Sequence, residues 1–366
     1  MTSRICASCI LPDTVPGVTF NAQGICNLCE DAARSPEPAI PYGAEGEARF
    51  LSALAPRGRS ADYDCLCLYS GGKDSTFMLY VLASRLKLRV LALTLDNWFL
   101  SPQTLTNIKT TLQHLEGVDH ILLKPAWRLV QKSFQAGFAF EPGTPMGDKA
   151  FLVGHACFSC FGLITACAGR LAIEKGIRNI VPGTTPGQMR QKNLRDLRSR
   201  YSSASQAFRS ITLPLMRELG RQDPELKARF HVKWWEMLRV PRLNLVPFYE
   251  HIRYDERDVL ETVQRELGWV RPRDTDSCST NCQLNALGIY VHRKKYGLSP
   301  YTIPLAHEVR TGLISREDAL KAVDGELNPK IVARIAHLLH IDEGLVPELA
   351  HLGGDQSPAD APIRAD

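Results

Sequence analysis

Cys65-Leu66-Cys67-Leu68-Tyr69 runs directly into Ser70-Gly71-Gly72-Lys73-Asp74-Ser75, and the helix-like Thr76-Phe77-Met78-Leu79-Tyr80-Val81-Leu82 follows. A buried strand that turns through two glycines into a helix is a phosphate site by construction. The glycines let backbone N–H groups approach an anion, the helix N-terminus adds positive potential, and Lys73 adds a full charge beside the hydroxyls of Ser70 and Ser75. The common P-loop needs Gly, four spacers, then Gly-Lys-Ser/Thr. Here Lys73 follows adjacent glycines and precedes Asp74, so the loop is of a different kind.

Outward from this loop, short apolar runs alternate with helical patterns: Cys65 to Tyr69, Val90 to Leu95, His120 to Leu123 and Asn179 to Val181. Such alternation predicts an α/β fold, a doubly wound parallel sheet with ligands at the C-terminal ends of the strands. Asp96 and Asn97 end the second run, and Gly183-Thr184-Thr185 ends a later one on the same rim. For Asp96, a charged turn that caps the strand is one reading.

Eleven cysteines carry the next signal. Cys6-x-x-Cys9 and Cys26-x-x-Cys29 have the spacing of a four-cysteine zinc ribbon or knuckle, with Gly24 as a turn before the second pair. Four thiolates close a tetrahedral shell, so this site folds a module rather than doing chemistry; an iron-sulfur cluster on the same ligands is the alternative. A second set is Cys157-x-x-Cys160, with Cys278 and Cys282 far along the chain. Thiolates converging there would hold a [4Fe–4S] cluster, against the reading that they are packed structural cysteines. A Cys-x-x-Cys pair at the start of a helix is expected to have lowered thiol pKa values. Cys65, Cys67 and Cys167 read as structural.

The expected organisation is a metal module over 1–35, a Pro/Gly/Ala-rich linker over 36–61, the α/β domain over 62–300, a helical C-terminal region over 301–345 and a disordered tail over 346–366. A helical insertion near 190–245 carries Arg190, Lys192, Arg195, Arg198 and Arg200, then Phe230-His231-Val232-Lys233-Trp234-Trp235. A solvated face and a surface for RNA or an acidic substrate both suit that composition. Ser315 with Asp318, and Asn328 with Pro329, mark two helix starts in the C-terminal region. The net charge of +5 selects no partner. No apolar run reads as long enough to span a bilayer and the N-terminus lacks a signal-peptide core, so no membrane and a cytoplasmic location are expected.

Ser70 to Ser75 resembles the PP-loop of the ATP pyrophosphatase superfamily, with its adenine nucleotide α-hydrolase-like fold. The resemblance implies that ATP and Mg²⁺ bind at Ser70, Gly71, Gly72, Lys73, Asp74, Ser75, Asp96 and Gly183. It also implies that a substrate carbonyl oxygen is adenylated with release of pyrophosphate, after which a nitrogen or sulfur nucleophile displaces AMP. Lys73, Asp74, Cys157 and Cys160 are then the catalytic candidates. The opening Cys6-Ala7-Ser8-Cys9-Ile10-Leu11-Pro12-Asp13-Thr14, with Tyr254-Asp255-Glu256 through Leu267-Gly268-Trp269 and His307 with Gly312 through Leu320, is similar to the N-acetyl sugar amidotransferase family. That likeness covers most of residues 1–323. It implies a Zn²⁺ module, a small-molecule amide or carbonyl acceptor, and nitrogen supplied by a separate glutaminase subunit.

Cys278 and Cys282 depart from that pattern. A distant cysteine beside Cys157-x-x-Cys160 resembles instead the PP-loop thiolation enzymes, which hold a [4Fe–4S] cluster on three cysteines and insert sulfur into tRNA bases or other acceptors. That resemblance implies a sulfur carrier in place of a glutaminase. Nitrogen transfer takes first place on the whole-chain likeness, and sulfur is the alternative.

Overall fold

The computed structural model describes residues 4–37, 39–57, 62–189, 217–218, 220–221, 224–225 and 243–341. The basic and aromatic residues expected in an insertion at 190–200 and 230–235, and the tail at 346–366, lie outside them.

Five parallel strands form one sheet: β1 (Cys65–Leu68), β2 (Val90–Leu95), β3 (Val118–Leu123), β4 (Asn179–Pro182) and β5 (Asn244–Leu245), in the order β3-β2-β1-β4-β5. Leu68 pairs with Leu93 on one side and with Pro182 on the other, so the chain winds both ways from β1. The loops after β1 and β4 therefore splay apart at the C-terminal edge and open the crevice where ligands bind in sheets of this kind. This is the doubly wound α/β fold that the alternation of apolar runs predicts. All six residues of β2 are buried, as a strand covered on both faces requires.

One face of the sheet packs against α3 (Lys73–Tyr80) and α9 (Glu256–Leu267), with Met78, Leu82, Val259, Val263 and Trp269 in a shared core. The other face is covered by α7 (His155–Glu174), whose Ala168 and Ala172 meet Leu66, Leu91 and Leu93. By length and composition α7 is apolar enough to cross a membrane, which corrects the expectation that no such run exists. Here its apolarity serves packing against β1, β4, α5 (Trp127–Phe138) and α10 (Leu284–Tyr296).

The 36–61 stretch, expected as a linker, contains α2 (Gly43–Ala53), whose fully buried Phe50 lies edge-on to Phe248 in the sheet core. Its Gly46 marks close packing, since a Cβ there would meet the Pro41 carbonyl oxygen at 2.9 Å. The N-terminal residues Ile10, Leu11 and Val15 share a core with α6 (Pro145–Val153), α11 (Thr302–Arg310) and α12 (Arg316–Asp324). Ser315 caps α12 by accepting from Asp318 N–H at 3.0 Å, and Asn328 caps α13 (Pro329–Leu338).

Candidate functional site

Gly71 has φ of +76°, and a Cβ on it would lie 2.7 Å from Ile108 and 2.8 Å from Thr104, so the turn after β1 admits no side chain. Its carbonyl accepts from the Trp269 indole at 3.0 Å. Ser70 and Ser75 hydroxyls meet at 3.0 Å, and Ser75 also donates to the Gly72 carbonyl, closing the loop on itself. The loop is then pinned from outside: Thr280 Oγ1 accepts from Lys73 N–H at 3.2 Å and Asn281 reaches the Ser70 carbonyl.

That docking brings Cys282 beside the loop. Leu100 and Cys282 form an antiparallel bridge, Ser101 N–H donates to the Asn281 carbonyl at 3.0 Å, and Gln283 N–H donates to the Phe99 carbonyl at 2.9 Å. Cys157 and Cys160 enter from the first turns of α7. A single cavity of about 310 Å³ is lined by Ser70, Gly72, Asp74 and Ser75 on one wall and by Cys157, Cys160 and Cys282 on another, with Gly183 at its rim.

Cys278 also borders the cavity, but its thiol donates to the Ala322 carbonyl at 3.4 Å, away from the other three. That partner sets Cys278 apart from the trio Cys157, Cys160 and Cys282, whose thiols face Asn97 and Asn285 instead. Burial pushes the Cys157 thiol up to about 12 and raises those of Cys160 and Cys282. This corrects the expectation of lowered values: the helix N-terminus is present, and loss of solvent outweighs it.

Between the strand and these thiols lies a turn that sequence reasoning did not resolve. Asp96 Oδ1 accepts from Trp98 N–H at 2.8 Å, Asn97 Oδ1 accepts from Phe99 N–H at 3.0 Å, and Trp98 is held at φ of +72°. A bulky residue in the left-handed region costs on the order of 1–3 kcal/mol. Asp96 also pairs with Lys124 at 3.0 Å and does not line the cavity, so its side chain builds the turn. Asn97 does line it, with Nδ2 at 3.4 Å from Cys282 Sγ and 3.8 Å from Cys160 Sγ.

Lys73 is placed differently from a lysine that projects into the cavity. Its Nζ is buried among Asp74 Oδ1 at 2.8 Å, the Tyr254 hydroxyl at 2.6 Å and Glu256 Oε1 at 3.3 Å. Burial works against its charge, yet Asp74 and Glu256 outweigh it and hold the pKa above the ordinary lysine value. Tyr254 in turn donates to Asp74 Oδ1 at 2.9 Å. Asp74, which does line the cavity, is thus fixed through one oxygen, and among the described residues its Oδ2 takes no hydrogen bond. Glu308 on α11 was also missed: burial raises its carboxyl to about 7, against a hydrogen bond from Thr185.

The four N-terminal cysteines form a separate centre, buried, with donor atoms all within 4.8 Å of one another. Cys6 and Cys29 sulfurs lie 3.9 Å apart and those of Cys9 and Cys26 3.7 Å. A tetrahedral ion with Zn–S bonds of about 2.3 Å has sulfur edges of about 3.8 Å, so the set fits one metal ion. Cys9 and Cys26 N–H groups donate to Cys6 Sγ, and Arg316 donates to the Cys6 and Cys9 carbonyls. Among the described residues these four alone draw together so tightly; Cys157, Cys160 and Cys282 share the cavity lining without closing on a single-ion site, and thiolates are the ligands an iron-sulfur cluster takes.

Together these features define a doubly wound α/β protein in which a glycine turn and a thiol trio share one cavity, next to a four-cysteine metal module. No family model matches the chain. Among curated proteins it is 22% identical over 326 residues to an uncharacterized protein of Methanocaldococcus jannaschii, covering 89% of this chain and 95% of the other. Among solved structures it is similar to the U34-tRNA thiolase NcsA from Methanococcus maripaludis with its [4Fe-4S] cluster, at 15% identity, 94% and 90% coverage and a TM-score of 0.35.

Proposed function

We propose that this chain is an ATP-dependent enzyme that adenylates a carbonyl oxygen of its acceptor and replaces that oxygen with sulfur. The observation that carries the reading is the shared cavity: Cys157, Cys160 and Cys282 line the same space as Ser70, Gly72, Asp74 and Ser75. Nitrogen transfer, which the whole-chain likeness implies, makes no demand for three thiols beside the nucleotide. Sulfur transfer does, and it therefore takes first place here.

The Ser70 to Ser75 turn and the N-terminus of α3 receive the phosphates, and Asp74 offers Oδ2 to the Mg²⁺ that accompanies them. The acceptor oxygen attacks the α-phosphorus, the α–β bridging bond breaks, and pyrophosphate leaves. A sulfur nucleophile then adds to the activated carbon, and AMP departs with the former carbonyl oxygen. Lys73 fixes Asp74 rather than meeting the leaving group. The trio would hold an iron-sulfur cluster, which supplies a site for sulfur next to the activated carbon. Zinc in the N-terminal module would serve structure alone.

The test is chemical. Anaerobically prepared protein given ATP, Mg²⁺ and sulfide should release AMP and pyrophosphate with an acceptor pool from a strain lacking the gene. Mass spectrometry should find one acceptor in which oxygen has become sulfur. A colourless, iron-free protein that turns over with ammonium and adds NH in place of oxygen would overturn the reading.

A further inference from the structure

We propose that Asn97 is a positioning residue of the thiol trio: its carboxamide nitrogen donates to both Cys160 and Cys282 and so raises the reduction potential of the iron-sulfur group they hold. The inference rests on the sulfur-insertion reading and deepens it.

Which way the Asn97 amide points is settled by its neighbour. Phe99 N–H donates to Oδ1 at 3.0 Å, which assigns Nδ2 and its two protons to the side nearer the thiols, with Cys282 Sγ farther off from Oδ1 at 3.9 Å. There the acceptors are Cys282 Sγ at 3.4 Å and Cys160 Sγ at 3.8 Å. Asn97 is 3% exposed, so water does not readily take those protons. Neutral thiols are weak acceptors and would leave a buried NH₂ poorly satisfied, whereas metal-bound thiolate sulfur is a good one.

Two further observations point the same way. The backbone keeps Trp98 in the left-handed region, and the Asp96 and Asn97 side chains each cap an N–H two residues ahead, so the turn is built to hold the amide in one place. The trio is also asymmetric: Cys157 Sγ instead faces an acceptor, Asn285 Oδ1 at 3.5 Å, and that amide is fixed by Asp276 at 2.9 Å and by the Tyr301 hydroxyl at 3.0 Å. Asn97 thus favours the negative charge of Cys160 and Cys282, whereas the Tyr301 hydroxyl is the group that does so for Cys157. Donors to the sulfurs favour the reduced, more negative state of such a centre.

The experiment compares the full-length wild type with Asn97→Leu, which removes the donors at similar volume, and Asn97→Asp, which keeps the oxygen that caps Phe99. Each is reconstituted with iron and sulfide, checked for circular dichroism and thermal midpoint, assayed for iron per chain, and titrated for reduction potential by electron paramagnetic resonance. Both variants should shift to lower potential, Asp the further because it adds a negative charge. A folded variant that takes up less iron than wild type would also support the role, since the same contacts would have failed at assembly. Full iron content with wild-type potentials in both variants would overturn the inference and leave sulfur insertion standing. Failure of the wild type to take up iron would overturn both.

Discussion

Tyr254→Phe removes one oxygen and leaves the ring that packs in the sheet core. That hydroxyl accepts from Lys73 Nζ at 2.6 Å and donates to Asp74 Oδ1 at 2.9 Å. Hydrogen bonds to charged groups are worth roughly 1.5–3 kcal/mol each. Lys73 keeps Asp74 and Glu256 as partners, so the net loss falls at the lower end, about 3 kcal/mol for the pair. Tyr249→Phe is the internal reference: its hydroxyl donates to the Asp74 backbone carbonyl at 2.8 Å, a neutral bond worth about 1 kcal/mol. Urea unfolding should rank the variants wild type, Tyr249→Phe, then Tyr254→Phe. Pyrophosphate release should fall more for Tyr254→Phe, since only that change frees the carboxylate assigned to magnesium. Equal stabilities for the two variants, or a Tyr254→Phe loss below about 0.5 kcal/mol, would refute the reasoning that a charged hydrogen-bond set fixes Asp74.

Gly71→Ala combines a left-handed backbone with a Cβ 2.7 Å from Ile108, so it should cost about 1–2 kcal/mol for the dihedral and about 1–3 more for overpacking. Gly117→Ala, at φ of +73° with its nearest contact at 3.7 Å, should cost only the first part in the same denaturation assay. Glu308 binds its proton more tightly folded than unfolded, so the stability it gives is full below about 4.5 and is lost as pH rises through about 7. A shift of this size corresponds to about 3 kcal/mol, and Glu308→Gln should gain that much relative to wild type between those pH values in thermal melts; parallel curves would contradict it. Stripping metal from Cys6, Cys9, Cys26 and Cys29 with a chelator should lower the main thermal midpoint, because the module shares its core with α6, α11 and α12. An unchanged midpoint would show that the module's fold does not need the ion.

The sheet was legible because β1 to β4 are apolar runs between helical segments, and the loop after β1 because two glycines cannot be replaced there. β5 was not, since Asn244–Leu245 is two residues long and takes its place by pairing with Asn179 and Ile180. Helix α2 was hidden because Gly43 and Gly46 read as looseness, while Gly46 marks contact with the Pro41 and His251 carbonyls. The choice between Cys278 and Cys282 depends on the Leu100 to Cys282 bridge, a long-range pairing with no local sign. Asn97 was visible as a rim residue, but its partners are sulfurs 63 and 185 positions away. Lys73 was legible as part of the loop, but its partners were not. Tyr254 and Glu256, which cage it, come from around the start of α9, far along the chain.

Iron and acid-labile sulfide counted per chain after anaerobic reconstitution of wild type, Cys157→Ala, Cys282→Ala and Cys278→Ala test the shared centre most directly. The account predicts iron and sulfide in the wild type, their loss in the Cys157 and Cys282 variants, and retention in Cys278→Ala, whose thiol turns to the Ala322 carbonyl. Loss in Cys278→Ala with retention in Cys282→Ala, or no iron in any of the four, would contradict it.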